Sequence, residues 1–174
     1  MTEIHKILSK TPQHKHQRAE ALFLEAERLE ETRDFGKAFR CLSKAAELGH
    51  SSSQLNLGNY YASGTGVRKH LAKAAYWYRT AYRRGNVTAA RNLAIDKVSA
   101  GDIRSAIVWF NKGIEQRDGG SFVALAKIYA GRRGGREKAI KLLKRVRTLS
   151  RTNASELDRE QAQALLLQLQ TASK

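Results

Sequence analysis

The sequence has very few of the residues that interrupt helices or cross-link chains. It contains one proline and one cysteine, Cys41, among 174 residues. A lone cysteine excludes an intramolecular disulfide and a structural zinc site built from several thiolates. The scarcity of proline, together with abundant alanine, leucine, lysine and arginine, predicts a mostly helical protein. We expect Cys41 to lie buried and unreactive on the apolar side of a helix.

Long apolar runs are missing as well. No stretch approaches the roughly 18 consecutive apolar residues of a membrane span, and residues 1–17 lack the apolar centre of a signal peptide. We therefore expect a soluble, cytoplasmic protein. No nucleophile–base pair, paired carboxylates or phosphate-binding loop indicates an enzyme, and the five histidines lack the spacing of a metal site. We expect neither catalysis nor a bound metal or cofactor.

Positive charge dominates the sequence. The formal net charge is +16, and residues 36–151 hold 24 Lys and Arg against 6 Asp and Glu. Because solvated surfaces normally mix both signs, this imbalance predicts an anionic partner, although it also fits a purely solubilising role. The basic surface that we predict consists of Arg68, Lys69, Arg83, Arg84, Arg132, Arg133, Lys141, Lys144 and Arg145.

Two apolar anchors recur along the chain with the same period. A small residue followed three and four positions later by apolar residues occurs at Ala38, Ala74, Ala106 and Ala139. These positions are 36, 32 and 33 residues apart. The second anchor is Leu57, Leu93 and Leu125, with spacings of 36 and 32. Matching periods predict repeated hairpins of two amphipathic helices, with small residues allowing close helix approach.

The apolar period predicts nine helices. Their ranges are 17–32, 36–48, 52–63, 71–84, 88–99, 103–116, 120–131, 135–148 and 154–171. We interpret residues 17–151 as an all-α solenoid domain of about four helix-turn-helix repeats. Residues 152–174 would form a C-terminal helix that caps its open end. Residues 1–16 are polar and lack a sustained helical period, so we interpret them as a flexible N-terminal arm.

One stretch carries a specific motif. Residues 57–67 read LGNYYASGTGV and residues 73–81 read KAAYWYRTA, with Gly85 following. This combination of fixed spacings closely resembles the Sel1-like repeat, and the G-x-G turn is expected to need positive φ. The third unit lacks the G-x-G-V loop and is more similar to a tetratricopeptide repeat. The resemblance extends over about residues 18–149.

The resemblance implies a right-handed superhelix of hairpins whose first helices line a concave groove, and an adaptor or scaffold role. The polar first-helix residues that would face this groove are Asn56, Asn59, Arg91, Asn92 and Lys127. Amide and cationic donors of this kind suit a carboxylate. We therefore predict a non-catalytic adaptor that binds an acidic or carboxylate-bearing segment of a partner protein.

Two alternatives stay open at the level of the sequence. The five groove positions fit equally well as solvated positions on helices. The basic surface also suits a helical-repeat protein that binds nucleic acid. Against nucleic acid, most of the aromatic residues fall at packing positions, which leaves few rings to stack on bases. The sequence indicates neither the partner's identity nor the oligomeric state.

Overall fold

The computed structural model describes residues 11–171, and every regular element in this range is an α-helix. The helices are α1 (Pro12–Glu31), α2 (Phe35–Glu47), α3 (Ser51–Ser63), α4 (Leu71–Arg83), α5 (Val87–Ser99), α6 (Ile103–Glu115), α7 (Gly119–Ala130), α8 (Arg136–Val146) and α9 (Glu156–Thr171). Apart from the start of α1, each end lies within two residues of its predicted position. Within the described residues, no helix has the length and apolar character needed to cross a bilayer.

Helix α1 begins at Pro12, five residues before the predicted start. The side chain of Thr11 accepts a hydrogen bond from the backbone N–H of His14, at 3.3 Å, and Pro12 occupies a first-turn position that needs no N–H donor. The predicted start of the first helix at residue 17 is therefore wrong, and residues 12–16, which we assigned to the N-terminal arm, form the first turn of α1. These residues are all exposed and have no apolar period to detect, while residues 1–10 of the predicted arm lie outside the described residues.

The contacts divide the chain into two compact units, with the boundary between Ala89 and Ala90. In the first unit α1 pairs with α2 and α3 pairs with α4, and α2 also packs on α3. In the second unit α7 pairs with α8, and α6 packs on α7. Helix α9 contacts both α7 and α8, so it lies against the last hairpin.

The core of the first unit alternates small and large side chains. Ala26, Ala38 and Leu42 pack with Leu57 and Tyr60, and all five are at most 6% exposed. Alanines leave room for helices to approach, and the larger side chains fill the space between them. The predicted anchors Ala38 and Leu57 therefore lie in the core that joins the first three helices.

The structure tests two predictions about single residues, Gly58 and Cys41. At Gly58 an added Cβ would lie 2.5 Å from a ring carbon of Tyr78, which confirms the predicted close approach of α3 and α4. Cys41 is half-buried beside the core of the first unit. Its thiol is therefore less enclosed than the fully buried position that we expected.

Candidate functional site

The two predicted groove residues of the first unit lie on α3. Asn56 and Asn59 are both half-buried. The Asn59 side-chain carbonyl accepts a hydrogen bond from the Tyr78 hydroxyl, with the oxygens 2.9 Å apart. Because Tyr78 belongs to α4, Asn59 connects the two helices of its own hairpin.

We expect Asn59→Ala to lower the free energy of unfolding by about 0.5–1.5 kcal/mol, because the Tyr78 hydroxyl would lose this acceptor. A residue that served only to bind a partner would have almost no such effect. Urea unfolding followed by circular dichroism measures the difference. Asn56→Ala on the same helix is the matched control, and an Asn59→Ala chain as stable as that control would contradict the structural role.

The three predicted groove residues of the second unit also have partners within the chain. An Arg91 Nη1 atom lies 3.4 Å from a carboxylate oxygen of Asp118 and 3.9 Å from one of Asp158. Lys127 Nζ donates to the Gln161 side-chain oxygen at 3.0 Å. Asn92 is half-buried and interacts within the protein as well. These side chains thus already interact with other groups of the protein before any ligand binds.

All nine residues of the predicted basic surface have exposed side chains. Three of them have local contacts: Lys141 pairs with Glu137 at 3.1 Å, the Arg145 guanidinium lies 4.9 Å from the Phe122 ring centroid, and Arg83 donates to Thr80. Contacts at such exposed positions leave the charge in water, where it still attracts anions. Arg68, Lys69, Arg83 and Arg84 belong to the first unit and the other five to the second.

A cavity of about 500 Å³ opens beside the loop that joins α3 to α4, and we name it the loop pocket. Its apolar lining is Phe39, Tyr61 and Val67, and its basic lining is Arg68, Lys69, His70 and Lys73. No Asp or Glu belongs to this lining. The pocket therefore combines an apolar floor with cations of one sign.

The loop around this pocket, residues 64–70, is fixed at both ends. Gly64 ends α3 in the left-handed conformation, with φ of 85°, and Gly66 has φ of 64°, which confirms the predicted need for positive φ. A Cβ at Gly66 would lie 2.6 Å from the Phe35 carbonyl oxygen, so the loop passes directly over the preceding hairpin. At its other end, His70 N–H donates to the Tyr61 carbonyl at 2.8 Å, and the His70 ring accepts from Lys73 N–H.

The aromatic floor of the loop pocket comes from two helices. Phe39 on α2 and Tyr61 on α3 form an edge-to-face pair, with ring centroids 5.5 Å apart. The ammonium nitrogen of Lys73 lies 5.2 Å from the Tyr61 ring centroid, within the range of a cation–π contact. This contact places a positive charge directly beside the apolar floor.

Only part of the loop pocket could be predicted from the sequence. Arg68 and Lys69 were predicted as basic surface, whereas Phe39, His70 and Lys73 were not assigned to a site and Tyr61 was assigned to packing. The available signal was the G-x-G-V loop followed at once by two cations. The contribution of Phe39 depends on how the first hairpin packs against the second, and the local sequence does not encode that.

The shifted pKa values of Asp34, Asp102 and Tyr60 have local structural causes. Hydrogen bonds at the helix starts lower the pKa of Asp34, through Lys37, and the pKa of Asp102, through Ser105. Burial next to Glu30, which accepts the Tyr60 hydroxyl at 2.7 Å, raises the pKa of Tyr60. None of these four acidic groups lines the loop pocket. Across residues 11–171, no three His, Cys, Asp or Glu side chains form a cluster suited to a metal ion.

The model of the Sel1 repeat matches residues 17–50, 51–86 and 91–118, which is more than half of the chain. Among solved structures, a Sel1 repeat protein from Oxalobacter formigenes is similar, with 21% identity and a TM-score of 0.61 over 83% of this chain and 63% of that one. So is c5321, a protective antigen of uropathogenic Escherichia coli strains displaying an SLR fold, with 27% identity and a TM-score of 0.60 over 79% of this chain and 33% of that one.

The chain thus spans less than two thirds of the length of either solved relative. No curated protein gives a significant match. Sel1 repeat proteins are generally scaffolds for protein interactions and are typically non-catalytic. The described helices and these neighbours agree with the predicted all-α fold of the α-solenoid class. The matches to three consecutive segments establish that the chain belongs to the Sel1 repeat family.

Proposed function

We propose that this protein is a non-catalytic adaptor that binds an acidic or carboxylate-bearing segment of a partner protein. The observation that supports it most directly is the loop pocket, where exposed Arg68, Lys69 and Lys73 stand around an apolar floor and no carboxylate belongs to the lining. Cationic donors of this kind form charge-assisted hydrogen bonds with carboxylates. The apolar floor adds area that loses contact with water when a segment docks.

The site that we propose is the loop pocket rather than the predicted groove. Asn59, Arg91 and Lys127 would each have to share or give up a partner within the chain before holding a ligand. Replacing an internal hydrogen bond with an external one gives little net free energy. The cations of the loop pocket have no carboxylate among the lining residues to displace.

Nucleic-acid binding is the second candidate. It is favoured by the exposed cations of the second unit, which are Arg132, Arg133, Lys141, Lys144 and Arg145. Recognition of single strands also uses open aromatic faces. The Tyr61 ring contacts both Lys73 and Phe39, and the Trp109 ring carries the Lys112 ammonium 4.1 Å from its centroid. These contacts cover part of each ring, which disfavours the stacking of successive bases, so the geometry favours the acidic protein segment.

Fluorescence anisotropy separates the two candidates. A labelled acidic peptide and a single-stranded oligonucleotide of equal charge are titrated with the whole chain between about 50 and about 300 mM salt. We expect the peptide to bind with a Kd in the micromolar range and to stay bound at about 150 mM salt, because apolar contact is insensitive to screening. Tighter binding of the oligonucleotide with a steep salt dependence would favour nucleic acid, and an unbound peptide even at the lowest salt would contradict the adaptor.

A pair of double variants locates the site. We expect Arg68→Ala with Lys69→Ala to weaken peptide binding by about tenfold, the effect of losing roughly 1.4 kcal/mol of charge-assisted contact. Arg132→Ala with Arg133→Ala removes the same charge from an exposed loop of the second unit and is the matched control. Equal losses in both variants would mean that net charge, and not the loop pocket, attracts the peptide.

A further inference from the structure

We infer that the loop pocket recognises a composite feature: one large apolar side chain of a partner peptide with carboxylates close to it in sequence. This inference rests on the proposed function and specifies the kind of peptide that binds. An acidic segment without the apolar residue would contact only the basic lining of the pocket and leave its apolar floor uncovered. All the residues on which the inference depends belong to the first unit.

The volume and the apolar floor of the loop pocket fit a ligand that is larger than a single charged group. Its volume of about 500 Å³ falls within the range of sites that enclose ligands of several groups, roughly 300–1,000 Å³. A single carboxylate would occupy a small part of this space. Phe39, Tyr61 and Val67 are half-buried, so part of each side chain still contacts water. An apolar side chain seated on this floor would displace that water, which favours binding.

Residues of the apolar floor and of the basic lining are adjacent along the chain. This sets the distance between the apolar side chain and the carboxylates of a peptide that fits the pocket. Val67 contributes to the floor, and Arg68 and Lys69 follow it directly at exposed positions. On the other side, Lys73 lies 5.2 Å from the Tyr61 ring centroid. An apolar side chain on the floor would thus have cations on more than one side. Carboxylates in its immediate neighbours would reach them.

The loop is held in place before a ligand arrives. Its first residue, Gly64, receives its shape from positive φ, and its last, His70, donates its N–H to the Tyr61 carbonyl at 2.8 Å. The Gly66 backbone is seated on the Phe35 carbonyl. A site fixed in this way loses little conformational entropy on binding, which raises affinity.

The same arrangement is not repeated at the other hairpin turns of the described chain. The α3–α4 loop has seven residues, 64–70, whereas the turns at 32–34 and 100–102 have three and the turn at 131–135 has five. Two further cavities in the second unit lie between α8 and α9; both include Arg147 and Gln163, and one also contains Glu156 and Glu160. We therefore expect one peptide of this kind per chain.

Three peptides of equal length test the inference with the whole chain. The first has a central phenylalanine between glutamates, the second has serine in place of phenylalanine, and the third keeps phenylalanine but has glutamine in place of every glutamate. We expect the serine peptide to bind about tenfold more weakly than the first, and the glutamine peptide to bind weakly and without salt dependence. Isothermal titration measures affinity and the expected ratio of one peptide per chain.

The conservative variant Val67→Thr connects the peptide result to the pocket. It preserves shape and makes the floor more polar, so we expect about threefold weaker binding of the phenylalanine peptide and no change for the serine peptide. Lys141→Gln, a charge change in the second unit, is the control and should affect both peptides equally. If Val67→Thr fails to fold by circular dichroism, the comparison of the three peptides on the parent chain decides alone.

The outcomes separate this inference from the proposed function. Equal binding of the phenylalanine and serine peptides would overturn the apolar subsite and leave the acidic-segment adaptor standing. Binding of none of the acidic peptides would overturn both. A single-stranded oligonucleotide that competes with the phenylalanine peptide, and that is equally weakened by Val67→Thr, would show that the pocket takes a nucleobase and would also overturn the inference.

Discussion

Gly58→Ala is expected to lower the free energy of unfolding by about 1–3 kcal/mol, the usual cost of overpacking a well-packed core. A Cβ at this position would lie 2.5 Å from Cε1 and 2.6 Å from Cδ1 of Tyr78, too close for two carbon atoms. The ring has little freedom to withdraw, because Tyr78 is only 2% exposed and its hydroxyl is bonded to Asn59. Helices α3 and α4 would therefore have to separate.

The destabilisation expected for Gly58→Ala is opposite to the usual effect of this substitution. Replacing glycine with alanine inside a helix normally stabilises it, by up to about 1 kcal/mol, because alanine loses less backbone entropy on folding. Gly36 in α2 provides the matched control, since an added Cβ there has no neighbouring atom within 4 Å. We expect Gly36→Ala to be as stable as the parent or more stable in urea unfolding. A Gly58→Ala chain more stable than the parent would contradict the close approach of the two helices.

The helical repeat could be predicted from the sequence because every hairpin buries a stripe of side chains. Ala38, Ala74, Ala106 and Ala139, the periodic small residues, are all 0% exposed. Burial imposes the period that reveals a helix. The first turn of α1 buries nothing in the described chain and was missed, although Thr11 and Pro12 are a recognisable helix start.

The candidate site was less predictable, because its residues are brought together by tertiary packing. Exposure of Arg68 and Lys69 follows from their place in a loop, and the sequence was sufficient for that. Phe39 enters the loop pocket from an earlier hairpin, and Arg91 is engaged by Asp118 and Asp158 from distant parts of the chain. The period of apolar residues in a single sequence shows which face of each helix is buried. It does not identify partners that come from distant parts of the chain.

Asp118 places a carboxylate among buried residues that are mostly apolar. Its side chain caps α7, accepting the backbone N–H of Ser121 at 2.9 Å and the Ser121 hydroxyl at 2.6 Å. The other carboxylate oxygen lies 3.4 Å from Arg91 on α5. Asp118 is only 6% exposed, and this burial raises its pKa against the opposing effects of Ser121 and Arg91.

We expect Asp118→Ala to lower the free energy of unfolding by about 2–4 kcal/mol. Loss of a helix cap costs about 1 kcal/mol, and leaving the partner of a buried ion pair without its counter-charge costs about 3–5 kcal/mol. The sum is reduced here because the Arg91 side chain is 26% exposed and keeps Asp158 at 3.9 Å. The burial that raises the pKa of Asp118 is also a cost that alanine removes.

Asp102→Ala distinguishes the buried pair from the cap. Asp102 caps α6 through the Ser105 N–H at 3.1 Å and lies 3.4 Å from Lys97, so it repeats the chemistry of Asp118 at a more exposed position. Because water can replace an exposed partner, its loss should be clearly smaller in the same urea-unfolding measurement. Equal losses for the two variants would mean that Asp118 acts only as a helix cap, and that its pairing with Arg91 does not hold α5 to the start of α7.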